Sequence, residues 1–280
     1  MMVVEMERLI ARGGPASTTT RVAREGGRRL TRSCSCRSSR REALGLGAAA
    51  ALSLGPARFA SCATTTTTTS ERANRIARDY DRYSRNYDGL EVGEMAKAFE
   101  LDDLRSVAVS KASGRTLEIG IGTGLNLELY DFERVSHLTG LDISSGMLQK
   151  SGERVASKGL GGKVDLVRGD AASLPFEDDS FDSVVVSYSL CVVPDAPSSL
   201  AEIARVLKPS GSGFIVEHIS SDIGPLAAYQ GLLSPFITTF GKGCDPSKDI
   251  PALARQSGLV VHDLDRRVLG TVAYMRVTAA

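Results

Sequence analysis

The first seventy residues contain no lysine and only four acids, against eleven arginines. A segment so poor in acids and so rich in Arg, Ser, Thr and Ala has the composition of an organelle transit peptide. The imbalance is local. Residues 1–70 net +7, and the 23 basic and 29 acidic side chains that follow net −6, which is why the whole chain carries only +1. The body thus lacks the basic excess that neutralises phosphates, and nucleic acid is excluded as a partner. Cysteine is sparse there too. Cys34, Cys36 and Cys62 lie in the basic segment, leaving only Cys191 and Cys244. Two cysteines so far apart have the spacing of neither a disulfide framework nor a zinc site. Each reads as a small buried apolar side chain, and no metal is expected. Long apolar runs are missing as well. Ala43 to Gly55 is thirteen residues, where a membrane-spanning helix needs about 20. There is no internal repeat.

Within the basic segment, Arg40-Arg41 precedes that apolar run, and Phe59-Ala60-Ser61-Cys62-Ala63 supplies small residues after it. A twin arginine, a short apolar stretch and a small-residue cleavage site form a twin-arginine export pattern. A transit peptide followed by such a signal resembles the bipartite presequences of thylakoid-lumen proteins. The expected destination is the plastid (chloroplast), either by a single-step stromal presequence or, if the second signal is used, onward to the thylakoid lumen or its membrane; the mitochondrion is the alternative. Thr64 to Thr69 reads as a linker. The expected division is a presequence and linker over residues 1–70 and one folded domain over 71–280.

The whole chain is 42% hydrophobic, enough for a core. Ile76, Tyr80, Tyr83 and Tyr87 recur at helical spacing, and Leu90, Met95, Phe99, Leu104 and Val107 suggest a second helix. Strands are expected at Thr116–Ile121, Val135–Leu141, Val164–Arg168, Phe181–Ser189 and Gly213–Glu217. Helices fall between them at Leu125–Phe132, Ser144–Lys158 and Ser198–Leu207. Such alternation implies right-handed crossovers and a mostly parallel sheet covered on both faces. Val260–Leu264 and Gly270–Val277 read as an antiparallel hairpin at the sheet edge. The expected fold class is α/β, a Rossmann-like, doubly wound, three-layer α/β/α arrangement.

Leu117-Glu118-Ile119-Gly120-Ile121-Gly122-Thr123-Gly124 follows a strand. Glycines there let the backbone turn tightly and approach a ligand. The dinucleotide fingerprint requires a third glycine at residue 125, which is Leu125. The G-x-G-x-G spacing behind Glu118 resembles the first motif of class I S-adenosylmethionine methyltransferases. Their cofactor has an ammonium and a carboxylate in place of a pyrophosphate, and an acid near the glycines suits the ammonium. Asp142 ends the second strand, where an acid accepts hydrogen bonds from ribose hydroxyls. Further along, Gly169-Asp170-Ala171, Leu174-Pro175-Phe176 and Asp179-Ser180-Phe181-Asp182 resemble a block of the same family, in its type 11 methyltransferase domain. So does the helix ending Leu207-Lys208-Pro209. The resemblance implies S-adenosyl-L-methionine as cofactor. It assigns Glu118, Gly120, Gly122, Gly124, Asp142, Ile143, Met147, Asp170, Ala171 and Ser187 to its binding, with Met147 on the adenine face and Asp170 at the adenine amino group. Asp182 reads as structural.

Tyr80 to Asp88 resembles the N-terminal segment of quinone-biosynthesis and phospholipid methyltransferases, which implies a lid carrying Tyr83 and Tyr87. Glu217-His218 resembles the end of the fifth strand in methyltransferase-like proteins that act on alkyl thiols. That implies a substrate pocket beside Tyr188 and Glu217, with His218 as candidate base. Ile223 to Phe240 is apolar enough to line an acceptor pocket or to touch a membrane surface. The expected activity is methyl transfer to a small lipophilic acceptor: a quinone, a lipid or a thiol. A nicotinamide-dependent oxidoreductase and a cofactor-binding module without turnover are the alternatives.

Overall fold

The structure is a computed structural model and describes residues 57–91, 101–240 and 242–280. These belong to one compact unit spanning Gly55–Ala280. Residues 1–56 of the expected presequence, with Arg40-Arg41, lie outside the described residues, as do Met95 and Phe99 of the expected second helix, whereas Phe59–Ala63 is helical.

The chain opens with helix α1 (Ala57–Tyr83), the short helix α2 (Tyr87–Glu91) and α3 (Leu101–Ser110). The threonine run expected to be a linker is helical, because α1 extends back through it. Once a helix is nucleated, each added residue forms one more hydrogen bond.

Strands β1 (Gly114–Ile119), β2 (Val135–Asp142), β3 (Val164–Arg168), β4 (Phe181–Ser187) and β5 (Leu207–His218) follow. Helix α4 (Ser145–Ser157) connects β2 to β3, and α5 (Ala196–Val206) connects β4 to β5. After β5 come α6 (Gly224–Phe240), α7 (Ile250–Gln256), β6 (Leu259–Arg267) and β7 (Val272–Ala279). The seven strands run in the order β3-β2-β1-β4-β5-β7-β6. β1 to β5 pair in parallel, and β7 joins β5 and β6 antiparallel. The expected doubly wound sheet with its antiparallel hairpin is thus present. β6 is an outer strand, and a bulge between His262 and Asp265 interrupts its register.

The expected helix Leu125–Phe132 is only a single 3-10 turn, Leu125–Glu128. Asn126 and Tyr130 turn inward there to bond the Glu118 carboxylate, and that demand competes with a regular helix.

The layers follow from the strand period of two, which sends alternate side chains to opposite faces. In β4, Val184 and Val186 join Leu200, Ile203 and Ala254 of α5 and α7 on one face. Val185 joins Leu104 and Ala108 of α3 on the other. Both faces are dry there, so the middle of the strand is the β-branched run Val184-Val185-Val186 and does not alternate apolar with polar. In such a sheet the strand order reverses beside β1, with β2 on one side and β4 on the other. Ligands bind outside the carboxyl ends of the strands at that switch point.

Candidate active site

A cavity of ≈ 740 Å³, counted with its open mouth, occupies this place. The carboxyl ends of β1 to β4 supply Gly120, Gly122, Asp142, Asp170 and Ser187, and α1 and α2 supply Ile76, Tyr80 and Tyr87. Of the residues expected to bind cofactor, Gly120, Gly122, Asp142, Ile143, Met147, Asp170, Ala171 and Ser187 line it. Tyr87 and Tyr188, expected at the acceptor, line it as well.

Glu118 and Gly124 do not line the cavity. Glu118 is 2% exposed, and its carboxylate accepts hydrogen bonds from Asn126 Nδ2 at 2.8 Å and Tyr130 Oη at 2.9 Å. Burial pushes this carboxyl up to about 7, against the opposing pull of those two bonds. Asn126 Nδ2 also reaches Ser187 Oγ at 3.2 Å. Glu118 therefore braces the cavity wall from behind, and an ammonium in the cavity does not meet it directly. Gly124 (φ 80°) starts the 3-10 turn.

Gly120 has a specific reason to be glycine. Its φ is +70°, and a Cβ there would run into the Ser189 hydroxyl, which itself donates to Ile119 O at 3.1 Å. Asp142 holds the loop from the next strand. Its Oδ2 accepts from Gly122 N at 2.9 Å and its Oδ1 from Ser144 N at 2.8 Å. Burial raises this carboxyl to about 6, in spite of those bonds. Each oxygen has a second lone pair, so the carboxylate can still accept from a hydroxyl.

The N-terminal helices are pinned over this end by two acids that the sequence reading passed over. Asp81 Oδ1 accepts from Ser144 Oγ at 2.7 Å and Gly146 N at 2.8 Å. Burial disfavours the charged carboxyl, but these bonds outweigh it, and Asp81 sits below the usual range. Gly146 permits the approach, because a Cβ there would lie 3.0 Å from Asp81 Cα. Asp88 accepts from Thr123 of the glycine loop and Arg154 of α4. Both acids stand in the Tyr80–Asp88 segment beside its tyrosines.

Tyr83 faces a second cavity with Arg72, Arg75, Thr238, Thr239 and Lys242. Ile76 and Val192 line both cavities. The Lys242 ammonium lies 5.4 Å from the Tyr83 ring centre and 5.1 Å from that of Tyr87.

Tyr188 is backbone-strained at φ +54°, a conformation that in a bulky residue marks a functional constraint. Its N–H donates to Val216 O at 2.8 Å, and the Arg105 guanidinium lies 5.5 Å from its ring centre. His218 stacks on that ring with centroids 5.0 Å apart and is not among the residues lining either cavity. Glu217 is fully buried and accepts from Leu190 N at 2.7 Å and Cys191 N at 3.1 Å. Burial pushes it up to about 7, with His218 pulling the other way.

The two cysteines, far apart in sequence, come together in the fold. Cys191 Sγ and Cys244 Sγ lie 3.9 and 3.7 Å from His218 Nδ1. The Cys191 thiol bonded to Cys244, and His218 beside it, pull the Cys244 thiol down to about 5. Cys191 is correspondingly held well above its ordinary value. Spacing along the chain could not reveal this, because the residues come from three separate segments.

The methyltransferase domain family matches residues 117–215. The chain is 39% identical over 166 residues to the phosphatidylethanolamine N-methyltransferase of Cereibacter sphaeroides, covering 58% of this chain and 81% of that protein. It is 32% identical over 233 residues to the demethylmenaquinone methyltransferase of Symbiobacterium thermophilum, covering 72% and 92%. It belongs to the class I S-adenosylmethionine-dependent methyltransferases. Among solved structures, a methyltransferase of Thermotoga maritima described as a possible histamine N-methyltransferase shares the fold. Its TM-score is 0.54 at 21% identity, over 72% of this chain and 99% of that one. An oxidoreductase reading loses its footing in this methyltransferase. A pyrophosphate needs a helix N-terminus after the glycines, and only the four-residue turn Leu125–Glu128 is there.

Proposed function

We propose that this methyltransferase acts on a lipophilic acceptor, a quinone, a lipid or a thiol, at a membrane surface. The observation that carries the reading is α6. It has no charged residue, and it exposes Tyr229, Leu232, Phe236 and Phe240, the last at 82%. Their spacing of three and four places them along one face. An uncharged helix with so much exposed apolar surface fits the headgroup boundary of a bilayer. Among the described residues no helix is long and apolar enough to cross one.

The second cavity opens beside this helix, and Arg72, Arg75 and Lys242 outnumber the single acid Asp79 in its lining. That balance favours an amphiphile with an anionic or electron-rich head. Among the three acceptor classes it favours a lipid, consistent with the activity named for the Cereibacter relative.

The lining of the first cavity fits the methyl donor. Five of its residues carry the assignment: we assign Asp142 to the ribose hydroxyls, Asp170 to the adenine amino group, and Ile143, Met147 and Ala171 to the flat apolar base. When bound, S-adenosylmethionine supplies an electrophilic methyl on a sulfonium. The chain's task is positioning, with donor and acceptor aligned about 3 Å apart. Tyr80, Tyr87 and Tyr188 line the cavity and exclude water around the transfer, and the strained Tyr188 backbone fixes its ring there. The acceptor atom bonds to the methyl carbon as the carbon–sulfur bond breaks, and the proton it carried leaves to a base. His218 is not among the cavity's lining residues and lies against Tyr188, so in this reading an acceptor that sheds its proton without His218 is favoured. The N-terminal segment is proposed to deliver the chain to the plastid. Its fusion to a fluorescent protein should enter the organelle, and a cytosolic signal would refute that.

The test is radiolabelled S-adenosylmethionine with phosphatidylethanolamine vesicles, a demethylated quinone in detergent, an alkyl thiol and a water-soluble amine. Label in the organic phase from one of the first three supports the reading. Label transferred only to the amine overturns it, and so does absence of any transfer by protein that binds S-adenosylhomocysteine.

A further inference from the structure

We infer that Cys191, His218 and Cys244 form a zinc-binding site with three protein ligands. Nothing in the methyl-transfer reading requires it, and it rests on separate observations. Cys191 Sγ, His218 Nδ1 and Cys244 Sγ all lie within 4.8 Å of one another. The sulfur-to-nitrogen distances are 3.9 and 3.7 Å. Zinc bonds of about 2.3 Å to sulfur and about 2.0–2.1 Å to nitrogen, at tetrahedral angles, place sulfur and nitrogen about 3.6 Å apart and two sulfurs about 3.8 Å apart. The ligand atoms therefore need to move by a few tenths of an ångström toward nitrogen, and by up to about 1 Å toward each other.

The backbone around each ligand is fixed independently of any metal. Cys191 N donates to the buried Glu217 carboxylate. His218 ends β5 and stacks on Tyr188. Cys244 is tied to α6 by Thr238 Oγ1 bonding to its carbonyl at 3.3 Å, and Asp245 N donates to Cys191 O at 3.0 Å. Lys248 Nζ closes the loop on the carbonyls of Leu190, Cys191 and Val193. A frame assembled this way loses little entropy on taking up an ion.

The ligand set selects the ion. Two thiolates and an imidazole suit zinc and reject magnesium and calcium, which want oxygen. Two thiolate charges cancel the ion's +2, and the opposite charges of Glu217 and Lys248 flank it. Among the described residues, no fourth Cys, His, Asp or Glu joins the group. The fourth position is left to water or an outside ligand, as in three-ligand zinc sites. Val192 and Gly243, one residue from the two cysteines, line the second cavity, so the site stands next to the space proposed for the acceptor.

The test uses the full chain with Cys34, Cys36 and Cys62 replaced by serine, so that only the two body thiols remain. It is reduced, stripped with a chelator and equilibrated with zinc. The expected result is one zinc per chain after dialysis, with an X-ray absorption shell of two sulfurs and two nitrogen or oxygen atoms. Second-shell changes alone cost 10–100-fold in affinity, so Cys191→Ser, His218→Ala and Cys244→Ser should each weaken binding by at least about 100-fold. If a single variant fails to fold, the absorption shell of the parent still decides. A shell without sulfur overturns the inference. So does zinc held no more tightly than by the Cys191→Ser/Cys244→Ser double variant, or a Cys191–Cys244 disulfide in the zinc-equilibrated protein.

Discussion

The two sides of the central cleft are built from different materials. The side formed by β1, β2 and β3 presents short loops held by buried acids, with Asp142 bonding Gly122 N and Ser144 N and Glu118 bracing the wall from behind. The side formed by α1, α2 and the turn after β4 presents whole side chains, aromatic and apolar, among them Ile76, Tyr80, Tyr87 and Tyr188. Main-chain groups locked by hydrogen bonds recognise one fixed ligand. Side chains on a helix surface can be exchanged without disturbing the sheet. A family that keeps one methyl donor and varies its acceptors needs this division.

The contrast can be broken from the donor side first. Gly120→Val places a β-branched residue at positive φ against Ser189, and calorimetry should find S-adenosylhomocysteine affinity reduced by more than about 3 kcal/mol. Unchanged affinity would show that the loop is not a rigid recognition surface.

Glu118→Gln separates bracing from binding. The folded carboxyl titrates at about 7, above its ordinary 4.5, so the folded protein holds more protons between those values. Its contribution is fully present below about pH 4.5 and is lost as pH rises through about 7. Denaturant unfolding should show the parent losing about 3 kcal/mol relative to the variant across that window. Parallel stability curves would contradict the buried-acid account.

Asp142→Ala should weaken S-adenosylhomocysteine binding by about 1–3 kcal/mol. An unaltered Kd would remove the ribose assignment. Asp81→Ala releases α1 from α4 and should cost about 1–2 kcal/mol of thermal stability, with a smaller loss of cofactor affinity. On the acceptor side, the double variant Leu232→Lys/Phe236→Lys should leave cofactor affinity within about 0.5 kcal/mol, as surface changes do, while vesicle cosedimentation falls several-fold. Retained vesicle binding would unseat α6 as the membrane face.

The donor side was legible in the sequence because its determinants are local. A glycine loop, an acid closing β2 and the Asp170 block each sit within a few residues of a strand end, and the parallel topology gathers strand ends in one place. Glu118 was found as a motif residue but given a ligand's role. Only the fold reveals that Asn126 and Tyr130 turn inward to satisfy it, which also reduces the expected helix there to one turn. Asp81 and Asp88 were in plain view, yet their partners Ser144, Gly146 and Arg154 lie more than sixty residues away. The pairing of Cys191 with Cys244 was illegible for the same reason. It depends on where α6 returns the chain, and no spacing rule reports that.

The bulge in β6 bears on what happens when many copies of the chain meet. An outer strand offers unpaired peptide groups to any passing segment, and a long flat one invites fibre-like stacking. Here the ladder breaks at Asp263, whose φ is +46°, and Asp263 accepts a hydrogen bond from Arg276 of β7 at 2.7 Å. Asp265, Arg266 and Arg267 add charge along the remainder of the strand. The margin farthest from the cleft thus carries a kink and a row of charges, the features by which an outer strand denies a neighbouring molecule a register.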